Sequence, residues 1–184
     1  MLNLRNYKIG TRLIMTAIGA LALMIAFVVI GLLSLGKIGD KVDRIANNNI
    51  VKTDLATEMR MRNLLIGRHV RTALIYEETE KQSGEKKKVD ADLLAYLEAE
   101  GKMEATLVTP IGREIIGNVM PARKAAEVSI NRMFELIRAG NRPAIEAHFF
   151  DDFRPKMQVW YDSVGELVKQ QKDNNQRDVA EINE

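Results

Sequence analysis

Hydrophobic and polar positions divide the chain into one apolar run and a long stretch of helical pattern. Residues Leu13 to Leu35 form a run of 23 residues without a charged side chain. As a helix rising about 1.5 Å per residue, the run spans about 34 Å, enough to cross a hydrocarbon core of about 30 Å. The rival interpretation is a signal peptide cleaved near Ser34–Gly36, but signal cores usually have about 7–15 residues. The pattern therefore predicts an uncleaved transmembrane helix over residues 13–35.

After this run the pattern predicts four helices joined by short turns. The expected helices are residues 37–81 (ended by Ser83-Gly84), 85–107, 109–139 and about 143 to the end. Thr109-Pro110 supplies an N-cap and a first-turn proline, and Gly140 a glycine stop. Short turns imply antiparallel neighbours, so the predicted fold is all-α: an up-down antiparallel four-helix bundle whose first helix continues the transmembrane helix. No segment shows sustained period-two alternation, which argues against a strand-containing domain.

Apolar stripes at spacings of three and four predict which helix faces are buried. The stripe of the third helix contains a single charged member, Arg123, and that of the second helix contains Glu100. Pro155 should kink the fourth helix or delay its regular start. The first helix carries two apolar stripes, so we expect it to pack both against its own bundle and against a second copy of the chain.

The charge of the first helix is also unusual. Residues 59–76 contain no acid but five basic side chains, Arg60, Arg62, Arg68, His69 and Arg71. Together with Arg123, these arginines outnumber the acids available in the stripes. Because an unpaired buried arginine is costly, a missing anion is the natural inference. The guanidinium fork binds carboxylates through two parallel hydrogen bonds, so a small carboxylate is the predicted ligand.

The expected turns near residues 83 and 140 place several anomalous residues at one height. Counted from those turns, Arg68, Glu100, Arg123 and Tyr161 lie within roughly 9 Å of each other along the bundle. The candidate ligand-binding residues are Arg62, Arg68, Arg71, Arg123, Tyr96 and Tyr161. Alternatives stay open: Arg123 pairs with Glu100, fourth-helix aspartates (Asp151, Asp152 and Asp162) neutralise the first-helix arginines, or the tyrosines only pack in the core.

Composition excludes several function classes. The net charge of +2 comes mostly from the flank before the apolar run, so no nucleic-acid surface is expected. There is no cysteine, and the two histidines show no ligand spacing, which gives no basis for a metal site. A Gly-rich phosphate loop and a GxSxG motif are also missing from the sequence. We therefore expect a protein that is not an enzyme and needs no cofactor.

The basic flank also predicts orientation. By the positive-inside rule, residues 1–12 with Arg5, Lys8 and Arg12 stay in the cytoplasm. Residues 13–35 then contact membrane lipid, and residues 36–184 form one domain on the other side of the membrane. Roughly 150 residues suit a single domain.

Three segments together resemble bacterial methyl-accepting chemotaxis proteins. The opening Asn6–Leu13 is similar to the "IGTRL" start of that family, and Ile38–Asp40 with Asn47–Ile50 resembles its first segment after the membrane. Leu136–Arg142 followed by Phe153–Pro155 is similar to the join between the third and fourth helices of its sensor domains. The resemblance covers nearly the whole chain, and the order of the segments carries it.

The resemblance implies a homodimeric periplasmic sensor with a ligand site near the dimer interface, toward the membrane-distal part of the bundle. Arg62 and Arg71 match ligand-binding arginines of the aspartate-sensing branch, whereas Arg68 is displaced by one position. Arg154 stands roughly where that branch has a hydroxyl. These departures favour an organic acid, such as a di- or tricarboxylate, over an amino acid.

The leading hypothesis is thus a transmembrane chemoreceptor sensor module of the inner membrane, which binds a small carboxylate and signals for chemotaxis by a small helix displacement. The second membrane helix, linker and signalling hairpin of a whole receptor are not in this sequence, so we expect an N-terminal portion of a longer receptor. A cytoplasmic kinase and adaptor would be reached only through that further region. The alternatives are the input domain of a sensor histidine kinase and a periplasmic scaffold whose arginines contact an acidic protein.

Overall fold

The computed structural model describes residues 9–44, 49–107 and 109–180, and within them the secondary structure is helical, with no strand. The chain divides into two compact units, one within residues 1–44 and the other within residues 45–184. The described residues of the first unit form a single helix, α1 (Ile9–Arg44). The predicted continuity of α1 with the first bundle helix falls on residues 45–48, outside the described residues.

Helix α1 contains one segment that can cross a membrane by length and composition. Leu13–Gly36 has 24 residues and a mean hydropathy of 2.8, and none of it is buried within the chain. A signal sequence near an N-terminus has the same two properties. The length of the apolar run is therefore still the argument that favours a membrane anchor.

The second unit is a four-helix bundle, as the sequence predicted. Its first three helices are α2 (Val51–Ile75), α3 (Thr79–Thr106) and α4 (Pro110–Ala139). The fourth consists of α5 (Arg142–His148), a π-helical turn (Phe149–Phe153) and α6 (Arg154–Ala180). Helix α2 packs mainly on α3 and α6, and α4 packs mainly on α6. The short connections between consecutive helices produce the antiparallel order.

The core lies where the apolar stripes of the four helices meet. Its largest fully buried side chains include Trp160, Tyr96, Met59 and Ile66. The Trp160 indole N–H donates a 2.9 Å hydrogen bond to the Tyr96 hydroxyl, and the two rings meet edge to face at 4.8 Å. This pair joins α6 to α3 across the bundle and satisfies the polar atoms that burial removes from water.

Capping interactions fix the bounds of the third and fourth helices close to their predicted positions. The Thr109 hydroxyl accepts a 3.1 Å hydrogen bond from the Gly112 backbone N–H at the start of α4. Gly140 ends α4 with a φ of 66°, a left-handed conformation that glycine adopts without a Cβ clash. The Asn141 side chain then accepts from the Ala144 N–H at 3.2 Å and begins α5.

The predicted turn at Ser83-Gly84 is wrong. Helix α2 ends at Ile75, and both residues lie inside α3, which begins at Thr79. Glycine costs only about 1 kcal/mol in a helix interior, which neighbouring packing can offset. The earlier reversal is held by Gln82, whose side-chain amide donates a 2.7 Å hydrogen bond to the Tyr76 carbonyl. Arg68 and Glu100 consequently differ in height by about 20 Å instead of sharing one level.

The expected irregularity near Pro155 is present as the π-helical turn. The Arg154 backbone N–H donates to the Phe149 carbonyl, five residues earlier, instead of to a carbonyl four residues earlier. A proline ring clashes with the carbonyl four residues before it, here that of Asp151, and the wider turn relieves this conflict. The turn also presents Phe149 and Phe153 toward α2, where a groove opens.

Candidate ligand-binding groove

A groove of about 550 Å³ lies between α2 and the segment formed by the π-helical turn and α6. Its lining contains two arginines and no acidic residue. One wall is formed by the α2 residues Asn63, Leu64, Gly67 and Arg71. The facing wall is formed by Phe149, Phe153, Arg154, Met157, Gln158 and Tyr161. The groove therefore combines positive charge with apolar walls.

Arg71 and Arg154 bring the charge to this groove from opposite sides. Both side chains are exposed, and neither forms an ion pair with any residue in the described parts of the chain. The nearby acids are engaged elsewhere: Asp152 pairs with Lys156, and Asp162 accepts a 2.8 Å hydrogen bond from Gln158. The two guanidinium groups thus remain available to an anion.

Asn63 lines the same groove, and its side chain also carries a buried hydrogen-bond donor without a partner in the described chain. The residue is 2% exposed, and its Nδ2 has no hydrogen-bond partner among the described residues. Leaving a buried donor unpaired costs about 1–3 kcal/mol, so such atoms in native proteins call for a reason. Asn63 occupies a core-stripe position between Met59 and Ile66, and this polar intrusion was the sequence signal for it that we missed.

Gly67 keeps the middle of the groove open. A Cβ built on this residue would lie 3.5 Å from Met157 Cε and 3.7 Å from Arg71 Nη2, both ordinary van der Waals distances. Helices α2 and α6 therefore approach closely here, and the Arg71 side chain folds back toward the preceding turn of its helix. The small residue leaves space between the guanidinium and Asn63.

Tyr161 forms part of the groove wall and is positioned by Arg60. The Arg60 guanidinium donates to the Tyr161 hydroxyl and lies 4.6 Å from the ring centroid. This combined hydrogen bond and cation–π contact engages Arg60 away from the groove. Arg60 is therefore not one of the cations that an external anion would meet.

The predicted site residue Arg62 is engaged by acids. Its Nη1 lies 3.0 Å from Asp92 Oδ1 and its Nη2 lies 3.3 Å from Glu58 Oε1. Hydrogen bonds to these two carboxylates raise the pKa of Arg62. Asp92 is itself buried between α2 and α3. Arg62 therefore stabilises the interface of these helices and does not line the groove.

His69 extends this network along the α2–α3 interface. Its Nδ1 lies 2.6 Å from Glu85 Oε2, and its Nε2 lies 3.4 Å from Asp92 Oδ2. The two carboxylates are on opposite sides of the ring, so the three groups do not converge on one point. In the parts of the chain that the structure describes, no group of three His, Asp or Glu residues could hold a metal ion.

Arg123 and Tyr96 also lie outside the groove. Arg123 Nε is 3.0 Å from Glu100 Oε2, and its Nη1 contacts Glu127. Arg123 therefore forms the ion pair with Glu100 that was the sequence-based alternative to ligand binding. Burial raises the pKa of Glu100, although the charge of Arg123 and its hydrogen bond act in the opposite direction. Tyr96 is fully buried against Trp160, and burial raises the pKa of its hydroxyl.

The predicted convergence of Arg68, Arg71, Arg123, Tyr96 and Tyr161 on one place is therefore wrong, because it depended on the misplaced first turn. Only Arg71 and Tyr161 line one groove, where they are joined by Arg154. Arg68 is exposed, lies outside the groove lining, and has no ion pair with a described residue. That any of these side chains binds a ligand stays a prediction. Among the residues that line the groove, Arg71 and Arg154 carry the positive charge that an anion would meet.

Comparison with known proteins identifies the family. A family model described as a four-helix-bundle sensory module for signal transduction, of the methyl-accepting chemotaxis type, matches residues 6–183. The chain belongs to this family. The match confirms the resemblance that the sequence motifs indicated, together with the bundle fold. No curated protein matches the chain.

In this sensory module, one cluster of side chains resembles a hydrolase triad but has a structural role. Ser129 Oγ lies 3.2 Å from His148 Nε2, and His148 Nδ1 lies 3.8 Å from Asp152 Oδ2. The same Nε2 donates to the Ser129 carbonyl at 2.9 Å, so it carries a proton and cannot accept one from the hydroxyl. Ser129 is also 1% exposed, beyond the reach of a substrate.

Proposed function

We propose that this sensory module is the input part of a transmembrane chemoreceptor and binds a small organic carboxylate in the groove between α2 and α6. One observation carries the proposal: Arg71 and Arg154 line the same 550 Å³ groove without an acid. Hydrogen bonds between guanidinium and carboxylate are among the strongest in proteins, and the planar fork matches both carboxylate oxygens.

The ligand is proposed to lack an ammonium group. An amino acid would bring a positive charge into a groove whose charged side chains are both arginines. A like charge without a carboxylate partner would weaken binding when partly desolvated. Organic acids, including di- and tricarboxylates, avoid this repulsion.

We further propose that α1 anchors the module in the inner membrane and that the bundle lies in the periplasm. The uncharged span Leu13–Gly36 and the acid-free flank before it support this orientation. Signalling then requires two states of the bundle with different ligand affinities. A ligand held by both arginines favours the state in which α2 and α6 bring them together, so its binding displaces one helix relative to the other.

Calorimetric titration of the full chain in lipid nanodiscs with a panel of organic acids tests the proposal. Arg71→Ala and Arg154→Ala should each lower affinity about 10- to 150-fold, because hydrogen bonds to charged groups contribute about 1.5–3 kcal/mol. Arg68→Ala is the matched control, since Arg68 is exposed on the same helix but outside the groove. Heat from no organic acid, or equal losses in all three variants, would contradict the proposal.

A second candidate function is a scaffold that binds an acidic periplasmic protein. The exposure of Arg68, Arg71 and Arg154 favours it, because a protein surface can reach solvent-facing arginines. Under this alternative Arg68→Ala should weaken partner binding as much as Arg71→Ala, and small carboxylates should not compete. Comparing the two variants therefore separates the alternatives.

A further inference from the structure

A second cavity, of about 690 Å³, lies at the end of the bundle where α2 is followed by α3 and α4 by α5. Small-molecule sites typically have volumes of about 300–1,000 Å³. Only Phe149 lines both this cavity and the groove between α2 and α6. We call it the tip cavity, and its lining includes Tyr76, Glu77, Arg142, Glu146, Phe149 and Phe150.

Aromatic rings supply much of the apolar surface of the tip cavity. Phe150 is 54% exposed and meets the Phe149 ring edge to face at 5.2 Å, while Phe149 also stacks on Phe153 at 5.5 Å. The face of an aromatic ring attracts cations. The Tyr76 ring does so within the chain, because Lys81 Nζ, which is outside the lining, lies 5.4 Å from its centroid.

The charged side chains of the tip cavity give it a net negative charge. Glu77 follows α2 and Glu146 is on α5, and both are exposed. Neither carboxylate forms an ion pair or a hydrogen bond with a described residue. Arg142 is the one cation among the described residues of the lining, and it offsets one of the two acids. A ligand with a single positive charge would balance the other.

Backbone contacts fix the two segments that carry these groups. The Gln82 amide donates a 2.7 Å hydrogen bond to the Tyr76 carbonyl, and the Arg142 N–H donates to the Gly140 carbonyl at 3.1 Å. The aromatic and acidic side chains are thus held on opposite connections of the bundle before a ligand arrives. Such preorganisation reduces the entropy that binding would otherwise cost.

We propose that the tip cavity is a second ligand site of the sensory module, which takes an organic ammonium ion with apolar substituents. Aromatic faces and carboxylates together are the groups that bind such ions, the rings contacting the substituents and the acids neutralising the charge. The groove between α2 and α6 has the opposite charge preference, since its two charged residues are arginines. The two sites therefore bind different ligands, and neither inference depends on the other.

Calorimetric titration of the full chain in non-ionic detergent compares choline with its neutral carbon analogue, in which a tert-butyl group replaces the trimethylammonium group. Choline should bind about tenfold more tightly than this alcohol of the same shape. Glu77→Gln and Glu146→Gln should each weaken choline about two- to fivefold and leave the alcohol unchanged. Glu80→Gln is the matched control, because Glu80 is exposed at the same end of the bundle but outside the lining.

Two further variants test the sign of the charge and the role of the rings. Arg142→Gln removes the like charge and should tighten choline about two- to fivefold. Phe150→Leu keeps an apolar side chain but removes a ring face, so it should weaken choline more than the alcohol. Folding of every variant is checked by the fluorescence of Trp160, the only tryptophan in the chain, which lies in the bundle core.

Glycerophosphocholine carries the same ammonium group as choline, together with the phosphate of a lipid headgroup. The phosphate adds a negative charge opposite the two acids, so this compound should bind more weakly than choline. Tighter binding would show that the anion and Arg142 dominate, which overturns the assignment to a cation.

Other outcomes also decide the proposal. It is overturned if choline binds no more tightly than the alcohol, if Glu80→Gln weakens choline as much as Glu146→Gln, or if Arg142→Gln weakens it. Arg71→Ala lies in the groove and should leave choline affinity unchanged, whereas a large loss would place the cation outside the tip cavity. Failure of every organic acid to bind would contradict the proposed function and leave the choline result standing.

Discussion

Arg123 of α4 and Glu100 of α3 form a buried ion pair, with Arg123 Nε 3.0 Å from Glu100 Oε2. Both side chains are less than 10% exposed. Glu127 shares the same guanidinium from one turn along α4. The pair connects two helices that otherwise make little contact. Arg123 therefore stabilises the packing of α3 against α4.

Replacing one partner of this pair should destabilise the bundle strongly. Arg123→Leu strands the buried Glu100 carboxylate, and we expect it to lower the free energy of unfolding by about 3–5 kcal/mol. The double variant Arg123→Leu with Glu100→Leu removes both buried charges and should recover most of that loss. Urea unfolding followed by Trp160 fluorescence measures both values.

Arg132 provides the control for that experiment. It lies on the same helix and pairs with Glu135 at 2.8 Å, but both side chains are more than half exposed. An exposed ion pair contributes about 0–1 kcal/mol, so Arg132→Leu should change stability by no more than that. A double variant no more stable than Arg123→Leu alone would contradict the ion-pair role.

The stability of the bundle should rise with pH in the acid range because of Glu85 and Asp152. Burial opposes ionisation of Glu85, but hydrogen bonds from Lys88 and His69 outweigh it and hold the pKa below 4.5. Hydrogen bonds from Lys156 and Ser129 hold the pKa of Asp152 below 3.8. Each contribution is present above the ordinary pKa and is lost as pH falls through the lowered one.

Urea unfolding at a series of pH values checks this expectation. Glu85→Gln should flatten the rise at acid pH. Glu100 acts in the opposite direction, because burial raises its pKa above 4.5 and its ionisation above that pH lowers stability. Glu100→Gln should therefore remove the decrease in the free energy of unfolding above pH 4.5. It should leave the increase of that free energy with pH in the acid range unchanged. The prediction would be refuted if Glu100→Gln flattened the rise at acid pH and Glu85→Gln removed the decrease above pH 4.5.

Much of the fold could be predicted because its signals are local or periodic. Apolar stripes identified the helices, and Thr109 and Gly140 marked two of their ends through specific capping geometry. The first turn could not be placed from Ser83-Gly84, because the reversal depends on the Gln82 amide reaching the Tyr76 carbonyl. Such a contact has no short sequence signature.

The groove was harder to predict than the fold. The excess of arginine on α2 predicted unpaired buried cations, but Arg68 and Arg71, which lack an acid partner among the described residues, are exposed, and the buried Arg123 is paired. Sequence alone could not tell which arginines find acids. Arg62 is engaged by Asp92, 30 residues away, and Arg123 by Glu100, 23 residues away. Arg71 has no acid partner among the described residues, and the facing wall of the groove carries Arg154 instead of an acid. Ion pairs between helices depend on the rotation of each helix about its axis and on the height of each residue along the bundle. A single misplaced turn changes the predicted heights of every residue that follows it.

Pro121 in the interior of α4 is a further feature that the stripe pattern did not reveal. The helix runs without a break from Pro110 to Ala139, and Pro121 is exposed on it. Proline removes one backbone hydrogen bond and costs about 3 kcal/mol in a helix interior. Pro121→Ala should therefore raise the free energy of unfolding, by up to about 3 kcal/mol. Pro143→Ala, in the first turn of α5, is the control and should have little effect. Equal effects of the two changes would contradict the explanation.

The second stripe of α2 should mediate self-association. Met61, Leu64 and Ile75 are at least half exposed, and with Arg68 and Arg71 they follow one another at spacings of three and four. Two copies that pack through this stripe bury apolar surface, but they also bring four arginines together. A bound carboxylate would reduce that repulsion, so ligand should strengthen association by linkage.

Sedimentation of the full chain in detergent tests this expectation. Met61→Glu changes the stripe without altering a residue of the groove, and it should weaken association. Val128→Glu is the matched control, because Val128 is 68% exposed on α4 and lies outside the stripe. Because α1 is unchanged in both variants, any difference between them arises in the bundle. Succinate should shift the unaltered chain toward the dimer and leave Met61→Glu largely monomeric. If Met61→Glu associates as strongly as Val128→Glu, the stripe is not the interface, and a ligand effect would then have to arise within one bundle.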